Sequence, residues 1–206
     1  MTIEPGRITG QSRITGQSEI DGYVSSRVEL AALLANCLTV TSAHGRPVAP
    51  ARCGEERRAA ISARLAEAGR PAGTFTAADA DRLAEVAAEL RPVFGAGPRV
   101  VEAAERLNRL LVRHGAVPNL HGAPDRPLVL AFHRPDAGLV DAWAADMGTA
   151  LAMVIGVGQA ARLGACQAGN CHLVFFDTTR NASRRFCDLS CQNRAKAGAY
   201  RARRRA

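Results

Sequence analysis

Cys166, Cys171, Cys187 and Cys191 form two close pairs, with four residues inside the first, fifteen between the pairs and three inside the second. Thiolates so spaced suit a tetrahedral cation, because each pair supplies two sulfurs from one local turn and a hairpin can join the pairs. One structural Zn2+ is the cofactor expected. Four protein ligands leave zinc no open position for water or substrate, so the site is expected to fold a module and not to be an enzyme's. Disulfides are the competing use of four cysteines. The first twenty-five residues carry only scattered isoleucines, Ile3, Ile8, Ile14 and Ile20, and no continuous apolar segment, so a reducing, cytoplasmic setting is expected.

Charge is segregated around the same cysteines. Residues 162–206 hold nine arginines and one lysine against Asp177 and Asp188, a surplus of eight that equals the formal net charge of the whole chain. The preceding residues are balanced, with 17 basic and 17 acidic side chains. Positive charge confined to one small metal-bound module points to a polyanionic partner, foremost double-stranded DNA.

The remaining sequence must position that module, and it reads as mostly α. Residues 1–24 contain RITGQS twice, from Arg7 and from Arg13, and are expected to be a disordered extension. From Ser26, Val28, Leu30, Ala31, Leu34, Cys37 and Leu38 recur on one helical face until Gly45 and Pro47. Glu55 to Ala68 forms a second helix, and Thr76 with Asp79 caps a third that runs to Phe94. Pro98 opens a fourth, which ends at Gly115. Val117–His121 and Leu128–His133 flank a proline-rich loop and read as a small β-hairpin. A fifth, broadly apolar helix is expected from about Gly138 to Leu163, delivering Cys166 with little slack. Its longest uncharged stretch, Met147–Ala161, is fifteen residues with three glycines. That is short of the roughly 20 a spanning helix needs, so no membrane partner is expected.

Within the module, Cys166 and Cys171 enclose a turn in which Gly169 and Asn170 can take positive φ. A strand over His172–Asp177 and a returning segment over Arg184–Cys187 form a hairpin. Asp188 then caps a helix carrying Cys191 one turn in, where the helix dipole favours thiolate. Knuckle, hairpin and helix together give a treble-clef arrangement.

The segment CQAGNCHLVFFDTTRNASRRFCDLSCQNRAKAGAYRARRR resembles the CGNR zinc-finger family, bacterial proteins regarded as transcription regulators whose finger follows a helical ABATE domain. The likeness is dense through the cysteine pairs, Phe176-Asp177, Arg180-Asn181, Arg184-Arg185, Asn193-Arg194, Lys196 and the terminal arginines. It is looser upstream, around Asn36, the third helix and the alanine-rich fifth helix. Gln192 stands where the name tetrapeptide Cys-Gly-Asn-Arg has glycine, and the last two cysteines are one residue closer than usual. The resemblance implies an ABATE-like domain over 25–163 and a CGNR-like finger over 164–206, together a zinc-dependent DNA-binding transcription regulator. The alternative is a protein- or RNA-interaction module.

DNA contacts are expected from Arg184, Arg185, Gln192, Asn193, Arg194, Lys196, Arg201, Arg203, Arg204 and Arg205. Arg194, Arg201 and Arg205 share one helical face, with Arg194 and Gln192 or Asn193 nearest base edges. Tyr200 is expected to pack on the hairpin beside Leu189. The neutral helical domain leaves room for a small-molecule effector, with His133 at a candidate pocket, or for a homodimer. Cys37 and Cys53 read as buried thiols. The chain carries no phosphate-binding glycine loop or nucleophile elbow, and Glu55-Glu56, Asp79 and Asp81 read as solvated helix starts.

Overall fold

The structure, a computed structural model, describes residues 15–71, 73–123 and 126–204. Six helices are assigned among them: α1 (Thr15–Thr39), α2 (Gly54–Glu67), α3 (Ala77–Leu90), α4 (Val100–Arg113), α5 (Leu139–Gly156) and α6 (Leu189–Arg203). Three antiparallel two-stranded ribbons accompany them. They are β1 (Ser42–Ala43) with β2 (Arg46–Pro47), β3 (Asn119–Ala123) with β4 (Arg126–Ala131), and β5 (Leu163–Ala165) with β6 (Val174–Phe176).

Local chemistry sets most of these boundaries. Thr76 accepts from the Asp79 amide at 3.1 Å while its own amide donates to the Asp79 carboxylate at 2.9 Å, the reciprocal capping box expected for α3. Gly69, at φ 65°, ends α2 just before Pro71. Pro92 and Pro98 sit in short 3-10 turns that redirect the chain from α3 into α4. In the centre, α1 packs on α3 and α5, with α2 and α4 outside them. Leu34, Leu83, Leu90, Met147 and Leu151 are fully buried there. Each such aliphatic side chain contributes about 2 kcal/mol on leaving water.

Four expectations are corrected. Helix α1 begins at Thr15, so the last ten residues of the expected disordered extension are helical. Val24 packs on the core and the Tyr23 ring lies 5.9 Å from that of Phe132, so tertiary contact overrides a weak local pattern. Residues 1–14, with most of the RITGQS repeat, lie outside the described residues. Secondly, the chain after α1 folds into the β1–β2 hairpin, whose turn residues His44 and Gly45 take φ of 51° and 80°. Thirdly, α5 stops at Gly156 and not near Leu163. Gly158 at φ 76° reverses the chain, and Leu163–Ala165 become a strand. Finally, the partner of β6 is this strand and not Arg184–Cys187, with Leu163 opposite Phe176 and Ala165 opposite Val174.

By length and apolarity α5 could cross a membrane, but half of its residues are buried within the fold. Its nine buried residues include Asp146, which is bonded inside the helical body. It is the core helix of this fold.

The β5–β6 ribbon ties the module to the helices. Asn36 of α1 donates from Nδ2 to the Val174 carbonyl and accepts from the Val174 amide through Oδ1, both at 2.8 Å, pairing with β6 as a neighbouring strand would. The His172 amide donates to the Ser42 carbonyl, and the Gly45 amide to the Asn170 carbonyl, each at 2.9 Å. Arg91 donates to the His172 carbonyl at 2.6 Å. Leu163 and Val174 belong to the same core as α1, α3 and α5.

Candidate metal centre

Two short segments deliver the four cysteines. β5 ends at Ala165, so Cys166 leaves it directly into the knuckle, which Asn170 turns at φ 56°. The Cys166 amide donates to the Leu173 carbonyl at 2.9 Å and closes the knuckle. On the other side, Asp188 accepts from the Cys191 amide at 2.8 Å and from the Ser190 hydroxyl at 2.8 Å, capping α6 as expected. Cys187 lies just before that cap and Cys191 in the first turn, so both face inward.

All four sulfurs lie within 4.8 Å of one another. The Cys187 sulfur is 3.4 Å from that of Cys191 and 3.8 Å from that of Cys171. Cys171 and Cys191 are buried, and Cys166 and Cys187 half-buried. Burial, then the neighbouring sulfurs, push the Cys187 thiol up. Burial also pushes the Cys191 thiol up, against a hydrogen bond with Cys187 that acts to lower it. Burial also acts to raise Cys171, but amide hydrogen bonds from Leu173 and His44 outweigh it and hold that thiol down. Four thiolates this close repel one another unless a cation sits among them, so the donor set fits one metal ion. Four convergent sulfurs are the soft donor set of a structural Zn2+, with His44 and Asp188 also within 4.8 Å of the Cys187 and Cys191 sulfurs at its edge. Bound there, zinc would supply cross-linking of knuckle and helix.

Supporting residues surround the sulfurs. Asp177 is buried and accepts from the Thr179 amide at 2.8 Å, the Thr179 hydroxyl at 2.6 Å and the Arg184 amide at 2.7 Å. Burial acts to raise its carboxyl, but those bonds and the nearby Arg162 charge prevail and hold it below the usual carboxylate range. His44, from the β1–β2 turn, lies 3.2 Å from Asp188 and 3.7 Å from the Cys191 sulfur. Spacing could not identify His44 or Asn36, since each meets the module only through the fold. Asp177 carried a local signal as one of two acids in a strongly basic segment.

The expected nucleic-acid residues divide into two groups. Arg194 turns back, donating to the Gly169 carbonyl at 3.2 Å and the Cys191 sulfur at 3.4 Å, and lies across Gly45. A Cβ at Gly45 would meet its guanidinium at 2.9 Å. Arg184 stacks on Phe175 with 4.4 Å to the ring centre and donates to the carbonyls of Phe186 and Cys187. Arg185 donates to Gln167 at 2.7 Å. These three arginines brace the module, although Arg184, Arg185 and Gln192 also line a cleft of about 390 Å³ beside α6.

Asn193, Lys196, Arg201, Arg203 and Arg204 are exposed, and no described carboxylate pairs with the four cations. At helical spacing, Asn193, Lys196, Tyr200, Arg203 and Arg204 share the face opposite Cys191. Tyr200 is 55% exposed and Leu189 75%, so the tyrosine does not pack on the hairpin. Helix α6 runs on to Arg203, and its second half is exposed at Tyr200, Arg201 and Arg203. Arg205 lies outside the described residues.

In the helical body, His133 does not line the pocket walled by Leu30, Leu65 and Trp143. It contacts Asp146 at 3.0 Å, and its ring lies 4.5 Å from that of His121. Cys37 is half-buried, and Cys53 is exposed in contrast to expectation, because it precedes α2 on the surface.

Residues 162–204 match the CGNR zinc finger. The match covers the module, so this segment is a CGNR zinc finger and a metal-binding unit. No curated protein matches the chain.

Proposed function

We propose that the protein is a DNA-binding transcription regulator in which zinc holds α6 as a basic reading helix and the helical body senses an effector. The observation that carries this reading is the unpaired face of α6. Lys196, Arg203 and Arg204 surround the exposed Tyr200, with Asn193 one turn closer to the metal. Cations without carboxylate partners suit a phosphate backbone, and an exposed amide and phenol among them suit base edges or sugars. Arg194 acts differently, holding knuckle, helix and β1–β2 turn in fixed relation.

The test is selection from a random duplex library with the full chain, followed by titration of the enriched duplex across salt concentrations. A recovered motif is expected, with log affinity falling by about 0.9 per phosphate contact for each tenfold rise in salt. Replacing Lys196, Arg203 and Arg204 together by alanine should weaken binding at least tenfold with zinc content unchanged. A salt-insensitive affinity, or enrichment of single-stranded RNA over every duplex, would discard DNA as the partner.

A further inference from the structure

Trp143 stands on α5 at the wall of a pocket of about 800 Å³ between α1, α2 and α5. Leu30, Leu33, Leu65 and Leu139 complete its apolar side. Leu30 and Leu65 are buried core residues, so this wall is rigid. The volume is that of a small-molecule site, and the lining joins these apolar side chains to Ser26, Arg27, Glu29 and Arg70.

Those polar groups are unequal. Arg70 is engaged, donating to Ser26 at 3.0 Å and Glu29 at 3.1 Å. Arg27 is held only from behind. Its Nε lies 3.4 Å from the buried Asp146 carboxylate, and its guanidinium lies over Tyr23 at 5.1 Å. Asp146 is in turn fixed by the Phe132 amide at 2.8 Å and by His133. Beyond Asp146 and the Tyr23 side chain, no described side chain is paired with the Arg27 guanidinium. A guanidinium oriented by a buried carboxylate, on a residue that lines the pocket beside an apolar wall, is a preorganised donor clamp for a carboxylate.

We infer that this pocket binds an amphipathic monocarboxylate, its acid group against the Nη edge of Arg27 and its apolar body against Leu33, Leu139 and Trp143. The site deepens the effector role proposed above, and its regulatory meaning rests on that reading. The same helix α1 that lines the pocket at Ser26–Leu33 grips β6 through Asn36 one turn later. An occupant is therefore positioned to bias how the finger is held.

The test needs no DNA, because Trp143 is the chain's single tryptophan and reports the pocket directly. Octanoate and phenylacetate are titrated against the zinc-loaded full chain, with octanamide and phenylacetamide as uncharged controls. A saturable change in tryptophan emission is expected for at least one acid, with its amide about tenfold weaker. Arg27→Gln should abolish that preference for the acid. Because this change also removes the cation beside the buried Asp146, Leu33→Asp is the second variant, placing negative charge in the pocket while sparing the clamp. It should remove acid binding with helicity and zinc content intact. Equal binding of acid and amide, no saturable change with either acid, or full binding by Leu33→Asp overturns the proposal. A positive result here beside failed duplex selection would leave the carboxylate site standing and discard only the DNA reading.

Discussion

At the residue scale, Asp177 is where an acidic side chain is most needed in a module that is otherwise basic. Its carboxylate gathers two amides and a hydroxyl across the Thr178–Ser183 turn, fixing the path from β6 to Cys187. Since its folded pKa is depressed, its contribution is fully present above the ordinary carboxylate range and is lost as pH falls through the lower folded value. Asp177→Asn keeps the shape and forfeits the charge. Urea denaturation of the zinc-loaded chain at pH 7 should show a loss of about 1–3 kcal/mol. The difference from wild type should shrink as pH is lowered past the carboxylate range, and a constant difference would show that the charge is not what Asp177 supplies. The four cysteines were legible from spacing alone, because both ligand pairs are local. Arg194 was not, because its partners at Gly169 and Gly45 meet it only through tertiary structure.

At the scale of elements, the helices were readable wherever a cap or breaker stands at the boundary, as at Thr76, Gly69 and Pro98. The reading failed where pairing across the chain decides. Leu163–Ala165 continue an apolar helical pattern, yet they become β5 because β6 offers a ladder and Gly158 reverses the chain. β6 needs a partner on its other side as well, and Asn36 supplies it with one amide group. Asn36→Leu should leave the Val174 amide and carbonyl unsatisfied at a half-buried seam, costing about 2–3 kcal/mol. The Val174 amide should then exchange with solvent faster than in wild type, while amides within α2, remote from the seam, keep their ratio to global stability. Unchanged protection at Val174 would mean that β5 alone holds the strand.

At the scale of the whole molecule, the finger is not a bead on a tether. Leu163 and Val174 are buried in the core built by α1, α3 and α5, and Arg91, Ser42 and Gly45 bond to the backbone of the knuckle strand. A metal that closes the knuckle therefore also stabilises the contacts under Asn36 and β1–β2. Binding free energy at such a site is folding free energy, because the unfolded chain does not present four converged thiolates. Stripping zinc with a chelator should thus lower the melting temperature of the entire chain, not melt only a C-terminal segment. Far-UV ellipticity, dominated by the helices, and emission from Trp143, some distance from the sulfurs on α5, should fall in one transition at a shifted midpoint. Acid should act in the same direction, since protonating the thiols competes with the metal while protonating Asp177 removes its hydrogen-bonded charge. Two separated transitions, with tryptophan emission unmoved by chelation, would make the shared core a contact without energetic weight. A single shifted transition would make the zinc site part of what holds the pocket wall in place, and so connect the metal, near the C-terminal end of α1, with Arg27 at the middle of that helix.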